Sequence, residues 1–370
     1  MREYFVSIFL TEMVVLLMFV NIGSNMNINK KHRHYFRLTY GLIALTAMCE
    51  CVGRFISASA IIGLKPVLII SKFMEFSITP CIPVIYASIF KIGSKNESFA
   101  HRAILLLLSF HLFAEVLSLY NGIIFSIDNL GVYQRGNHYT MYVVSFIFAG
   151  LYLFWMVIRF SSFYQNRDLK LLVSIVLFLT SGVTLQFILS KVNITWLTIS
   201  VSSIFMFVYY ENITLYTDGL TALLNQRSYK SQLERGFEEE TIVLLMDVND
   251  FKTINDQYGH NYGDLTLRSI GNAIKEVYSP YGYCYRIGGD EFCVFMKPKV
   301  EARELNKQFI AKLIELQSED TRFPLVSIGS AVYRPQNGSS ILDTVEEADK
   351  NMYEEKRRLK VQGVGIVRCG

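Results

Sequence analysis

The chain has 370 residues, enough for two or three domains, and a formal net charge of +4. Its apolar fraction of 51% and mean hydropathy of +0.30 exclude an ordinary cytosolic enzyme. Residues 1–210 hold 16 Lys+Arg against 8 Asp+Glu, and residues 211–370 hold 20 against 24. The basic excess therefore sits in the apolar half, and no nucleic-acid partner is expected from it. Cys49, Cys51, Cys81, Cys284, Cys293 and Cys369 have neither metal spacing nor a disulfide framework, and read as structural thiols.

A hydrocarbon core about 30 Å thick is crossed by about 20 mostly apolar residues. Seven stretches qualify: 4–24, 38–63, 66–92, 103–126, 139–160, 169–190 and 193–211. The first is too long for a signal-peptide core and no small-x-small site follows it, so it reads as a retained anchor. Lys30, Lys31, Arg33, Arg37, Lys91, Lys95, Arg102, Arg159, Arg167 and Lys170 fall on one side of these spans. Only Arg2, Lys65, Arg135 and Lys191 fall on the other. The positive-inside rule then puts the N-terminus outside and the C-terminal half in the cytoplasm of a multi-pass plasma-membrane protein.

Glu12, Glu50, Arg54, Lys72, Glu75 and Glu115 lie inside the spans. Charges there face a bundle interior, either as a cavity for a small ligand or proton or as interhelical glue. Glu50 and Arg54, at i and i+4, can neutralise each other on one helix face. The outer loop 127–138 is polar and can cap a pocket, but is too short for a sensory domain. No Pro/Gly/Ser-rich linker separates the halves, so the division falls at 1–211 and 212–370, a stiff connection suited to transmission or to anchoring.

In the second half, Ile242 to Met246 is a continuous apolar run, as in a central strand buried on both faces. It ends in Asp247-Val248-Asn249-Asp250-Phe251-Lys252. A helix then stops at Tyr258-Gly259-His260, with Gly259 as C-cap, and Asp264 opens the next helix. Tyr283-Cys284-Tyr285 and Cys293-Val294-Phe295-Met296 flank Arg286-Ile287-Gly288-Gly289-Asp290-Glu291-Phe292, a β-hairpin with two acids in its turn. Gly288 and Gly289 are expected to supply positive φ and a close approach to a bulky ligand. A helix near 301–317, a strand at 325–332 and a last helix at about 340–359 complete a β-α-α-β-β-α-β-α order. That order predicts an α+β sheet of the palm or ferredoxin-like type with helices on one side.

In such a sheet Asp247 can meet Asp290 and Glu291 on neighbouring strands. Three grouped carboxylates repel one another, and Mg²⁺ relieves this while holding a phosphate. The chemistry indicated is metal-assisted phosphoryl or nucleotidyl transfer.

Residues 218–362 resemble the GGDEF family of diguanylate cyclases. The family's opening motif is matched by Asp218-Gly219-Leu220-Thr221-Ala222-Leu223-Leu224-Asn225-Gln226-Arg227, and its strand-helix signature by Asp247 to Lys252, Asn255 to His260 and Gly263-Asp264. Its name-giving motif is Gly288 to Phe292, and its last helix is matched by Ala348 to Tyr353 with Lys356. The resemblance implies metal ligation by Asp247, the Val248 carbonyl, Asp290 and Glu291, with two Mg²⁺ per site and Mn²⁺ as a substitute. It implies catalytic roles for Asp290, Glu291 and Lys252, the choice between the two acids as base staying open. Asn255 and Asp264 would read guanine, whose N1 and N2 donors suit a carboxylate and an amide. Phe251, His260, Gly288 and Gly289 would line the substrate, and Lys356 and Lys360 would neutralise triphosphate charge.

The implied reaction condenses two GTP into cyclic di-GMP and two pyrophosphates, which needs a homodimer because each domain presents one GTP. The alternative is a non-catalytic GTP- or nucleotide-binding GGDEF module coupled to a seven-span receptor. Two departures stand out: Ser279-Pro280-Tyr281-Gly282 replaces an inhibitory Arg-x-x-Asp, and Asn249 replaces an acid.

Overall fold

A computed structural model describes residues 2–25, 28–59, 62–92, 95–128, 131–165, 169–188, 194–298, 301–337 and 340–361. Asn129, Leu130, Arg167, Lys191 and Cys369 lie outside these residues, as do the ends of two expected spans. The chain divides into two compact units: Met1–Phe163 with Arg167–Tyr210, and Tyr164–Asn166 with Glu211–Gly370.

The first unit is built from helices α1 (Arg2–Ser24), α2 (Lys30–Ser59), α3 (Lys65–Ile78), α4 (Cys81–Ala87) and α5 (Lys95–Asn121). The antiparallel hairpin β1 (Phe125–Ile127) and β2 (Tyr133–Arg135) follows, then α6 (Thr140–Phe163), α7 (Lys170–Ile188) and α8 (Thr195–Leu215), which belongs to this unit as far as Tyr210. Five helical stretches among the described residues are long and apolar enough to cross a membrane: Tyr4–Ser24, Lys30–Ser59, Lys65–Phe90, Glu97–Asn121 and Thr140–Phe163. The third combines α3 and α4, with Pro80 at the N-cap of α4, because proline supplies no N–H to the ladder. Of the polar loop anticipated at 127–138, Ile127 and Tyr133–Arg135 lie in the β1–β2 hairpin.

Several polar groups inside this unit are paired, within one helix or between two. Arg54 donates to Glu50 at 2.8 Å, and Trp196 Nε1 donates to the other Glu50 oxygen at 2.5 Å. Lys72 pairs with Glu75 at 2.7 Å and lies over the Tyr133 ring.

The second unit holds α9 (Gln226–Arg235), β3 (Thr241–Val248), α10 (Phe251–Tyr258), α11 (His260–Tyr278), β4 (Gly282–Arg286) and β5 (Glu291–Met296). It ends with α12 (Ala302–Glu319), β6 (Val326–Tyr333) and α13 (Ile341–Val361). The four strands form an antiparallel sheet in the order β4-β5-β3-β6.

Strand residues alternate between two faces, and here both faces are covered. Ile242, Leu244, Met246 and Val248 of β3 pack with Leu267, Ile270 and Ile274 of α11 and Leu305, Phe309 and Leu313 of α12. Val243 and Leu245 pack with Ala348 and Met352 of α13 and with Tyr229 and Leu233 of α9. The expectation of helices on one side is therefore corrected: four amphipathic helices bury their stripes on two sheet faces. A central strand apolar at every position from Ile242 to Met246 requires that arrangement.

Candidate active site

The site is assembled at one end of the two central strands. β3 and β5 run antiparallel in a register that sets Asp247 opposite Glu291, and the Val248 N–H donates to the Asp290 carbonyl at 3.2 Å. The end of the first strand and the hairpin turn are thus neighbours. Burial pushes the Asp290 carboxyl above its ordinary range, and the charge of Asp247 pushes it further. Glu291 is raised by the same causes, with Asp290, Asp247 and Asp349 as its acidic neighbours.

Among the described residues, no three His, Cys, Asp or Glu side chains converge as a ready metal cage. Instead the Lys356 ammonium, delivered by α13, is bound directly to the Asp247 carboxylate. The donor set nevertheless fits a divalent cation: all donors are hard oxygens, and the mutual repulsion that raises two of them is what a cation would relieve.

The hairpin turn is held by a residue that the sequence reading did not assign to the site. Arg286 donates to the Gly289 carbonyl from Nη2 at 2.7 Å and from Nε at 3.2 Å. Its Nη1 meets Asp218 at 3.1 Å. Burial would push the Asp218 carboxyl up, but hydrogen bonds from the Thr221 side chain and backbone, with the Arg286 charge, hold it below its usual range. The segment after Asp218 is stitched to β4, since the Leu224 N–H donates to the Cys284 carbonyl and the Arg286 N–H to the Leu224 carbonyl. An arginine immediately before an acidic turn was the available signal.

Neither Gly288 nor Gly289 has positive φ, so that expectation is corrected. Gly288 lies close under the Glu291 side chain: a Cβ there would stand 2.6 Å from a carboxylate oxygen, which would have to shift. Asp250 does take the left-handed conformation, with φ 53° at the start of α10, which aspartate tolerates better than most residues.

Asn255 and Asp264 are brought together by the α10–α11 corner. Gly259, at φ 81°, turns the chain there, and its N–H donates to the Asn255 carbonyl. α11 therefore starts at His260, four residues before the anticipated start at Asp264, because Gly259 alone breaks the helical path. The Asn255 side-chain carbonyl lies over Gly263, where a Cβ would stand 2.0 Å from Oδ1. Asp264 and His260 are exposed, as is Lys252, while Phe251 packs partly into the core. Lys360, one turn beyond Lys356, stands 3.8 Å from Asp250.

The two departures acquire structural reasons. Asn249 is buried and its Oδ1 accepts from Ser327 Oγ at 2.8 Å, so the amide ties β3 to β6. Gly282 packs its bare Cα against β5, where a Cβ would lie 2.1 Å from the Phe295 carbonyl oxygen. An aspartate at that position would have to displace the strand.

Residues 215–362 match the family model described as "Diguanylate cyclase, GGDEF domain". Signaling protein YkoW of Bacillus subtilis (strain 168) is 34% identical over 157 residues, covering 39% of this chain and 19% of that protein. Diguanylate cyclase DgcP of Escherichia coli (strain K12) is 31% identical over 153 residues, covering 38% of this chain and 45% of DgcP. Diguanylate cyclase TpbB of Pseudomonas aeruginosa (strain UCBPP-PA14) is 31% identical over 166 residues, covering 40% of this chain and 38% of TpbB. The chain thus spans less than half the length of these curated relatives.

Proposed function

We propose that the chain is a membrane-bound diguanylate cyclase that condenses two GTP into cyclic di-GMP with release of two pyrophosphates. The observation that carries this reading is the register of Asp247 against Glu291, with Asp290 next to Glu291 in a turn clamped by Arg286. It falls within the segment similar to GGDEF diguanylate cyclase domains.

In this reading Asp247, Asp290 and Glu291 hold Mg²⁺, which when bound would polarise the α-phosphate and stabilise the departing pyrophosphate. Asp264 accepts from guanine N1 and N2, and the neighbouring Asn255 amide completes the edge. Lys252, Lys356 and Lys360 compensate triphosphate charge, and one of the turn acids takes the 3′-hydroxyl proton as the oxygen attacks the partner's α-phosphate. Each domain presents one GTP, so two copies face each other about a twofold axis and each 3′-oxygen forms a new P–O bond.

The first unit is read as seven spans with the N-terminus outside, on the charge asymmetry of its loops and its long apolar helices. It sets how often the two cyclase domains meet. Feedback through an Arg-x-x-Asp site is not expected, because Ser279 and Gly282 stand where that motif has its arginine and aspartate.

The test is product chromatography of purified full-length protein fed GTP and Mg²⁺. Cyclic di-GMP is the expected product, and Asp290→Ala should lower its formation by about 10²–10³-fold, as for loss of one transition-state contact. Unchanged output from that variant would sink the catalytic assignment. Steep slowing by added cyclic di-GMP would contradict the missing feedback.

A further inference from the structure

We infer that Lys356 is a stand-in cation: its ammonium holds the Asp247 carboxylate until metal arrives with nucleotide, coupling the two binding events. The inference rests on the nucleotidyl-transfer reading of this site and adds an order of binding to it.

Lys356 reaches the acids by construction. α13 lies on β6 with backbone against backbone, since a Cβ at Gly329 would stand 2.0 Å from the Ala348 carbonyl oxygen and 2.2 Å from the Met352 nitrogen. Asn351 Nδ2 donates to the Ser330 carbonyl at 2.8 Å and fixes the helix along the strand. Ala348 and Met352 are buried beneath it, and Lys356 follows one turn later on the same side.

The pair is sheltered, with the lysine side chain 26% exposed and the aspartate 13%. Its positive charge also bears on Asp290 and Glu291, and opposes the rise that burial and neighbouring acids give them. By contrast Lys360 and Asp250, 3.8 Å apart and largely exposed, form a loose surface contact.

A divalent cation bound to Asp247 must displace this ammonium. Without a second anion the displaced lysine loses its partner in a half-buried place, which opposes metal binding. A triphosphate supplies that anion. Metal and nucleotide therefore favour each other, and linkage requires the effect to be equal in both directions.

The test measures Mn²⁺ alone, by the electron paramagnetic resonance signal of free Mn²⁺, against full-length protein in detergent without nucleotide. Lys356→Met should bind Mn²⁺ about tenfold more tightly than wild type, within the usual range of coupling factors. Lys356→Arg, which restores a cation, should return the affinity towards wild type. The affinity of Lys356→Met for a non-hydrolysable GTP analogue should fall, whereas damage to the fold would weaken metal and nucleotide binding together. Equal or weaker Mn²⁺ binding by Lys356→Met overturns the inference and leaves the proposed function standing. Failure of every form, wild type included, to bind Mn²⁺ even with the GTP analogue present overturns both.

Discussion

In the first unit Phe9, Leu16, Leu106 and Leu177 are 63–72% exposed, while Lys72, Glu75, His111 and Glu115 are buried. In the second, Val243, Leu244, Phe292 and Val294 are buried completely and Lys252, Asp264 and Glu291 face outward. The first pattern suits a bundle whose surroundings are hydrocarbon, where apolar side chains gain nothing by hiding and polar ones must pair inside. The second is the ordinary sorting imposed by water. One chain thus obeys two solvents, and this is the strongest physical support for reading the first unit as membrane-embedded.

The difference extends to what makes each unit specific. The cyclase-like unit depends on bare backbone approaches at Gly263, Gly282 and Gly329, where a methyl group would collide. The apolar bundle depends more on buried polar side chains, as where Glu50 pairs with Arg54 along α2 and accepts from Trp196 of α8. Both tryptophans, Trp155 and Trp196, lie in the first unit, so their fluorescence follows that unit alone.

The largest effect should come from Gly329→Val, which forces a side chain into the α13 backbone and should destabilise the second unit by about 3 kcal/mol. Cooperative loss of its β-sheet circular dichroism should move to lower temperature while the tryptophan transition stays in place. Coincident movement of both transitions would break the comparison. Next, Trp196→Phe removes the indole donor from Glu50 and should destabilise the first unit by about 1.5–3 kcal/mol, as for a hydrogen bond to a charged group. Trp155 remains as reporter, and an unshifted transition would assign the bundle's stability to apolar packing instead.

The smallest effect concerns pH. The folded carboxyl of Asp218 titrates below its unfolded value, so its contribution to stability is present above the unfolded pKa of about 3.9 and disappears as pH falls through the folded one. Asp218→Asn should therefore cost the second unit stability at neutral pH, with the deficit shrinking on acidification. Urea midpoints across pH test this, and a deficit constant with pH would remove the charge argument.

Much of the second unit was legible residue by residue. The run Ile242–Met246 marked β3, the Gly-Gly-Asp-Glu turn marked the hairpin, and the stripe of Ile341, Val345, Ala348 and Met352 marked α13. Local periodicity carries that information because each element must bury one face. The start of α11 was misplaced because a single glycine ends one helix and begins another without a polar loop between them. The Arg286–Asp218 clamp was missed as a site feature because its partners are 68 residues apart.

The sequence alone determined most of the elements and where the acids stand along the chain, since composition and period are local properties. Tertiary structure decided what those acids meet. It chose the face for each helix, set Asp247 against Glu291, and placed Lys356 on a carboxylate 109 residues away. Those outcomes depend on strand register and on how closely α13 can approach Gly329, and no local pattern encodes either.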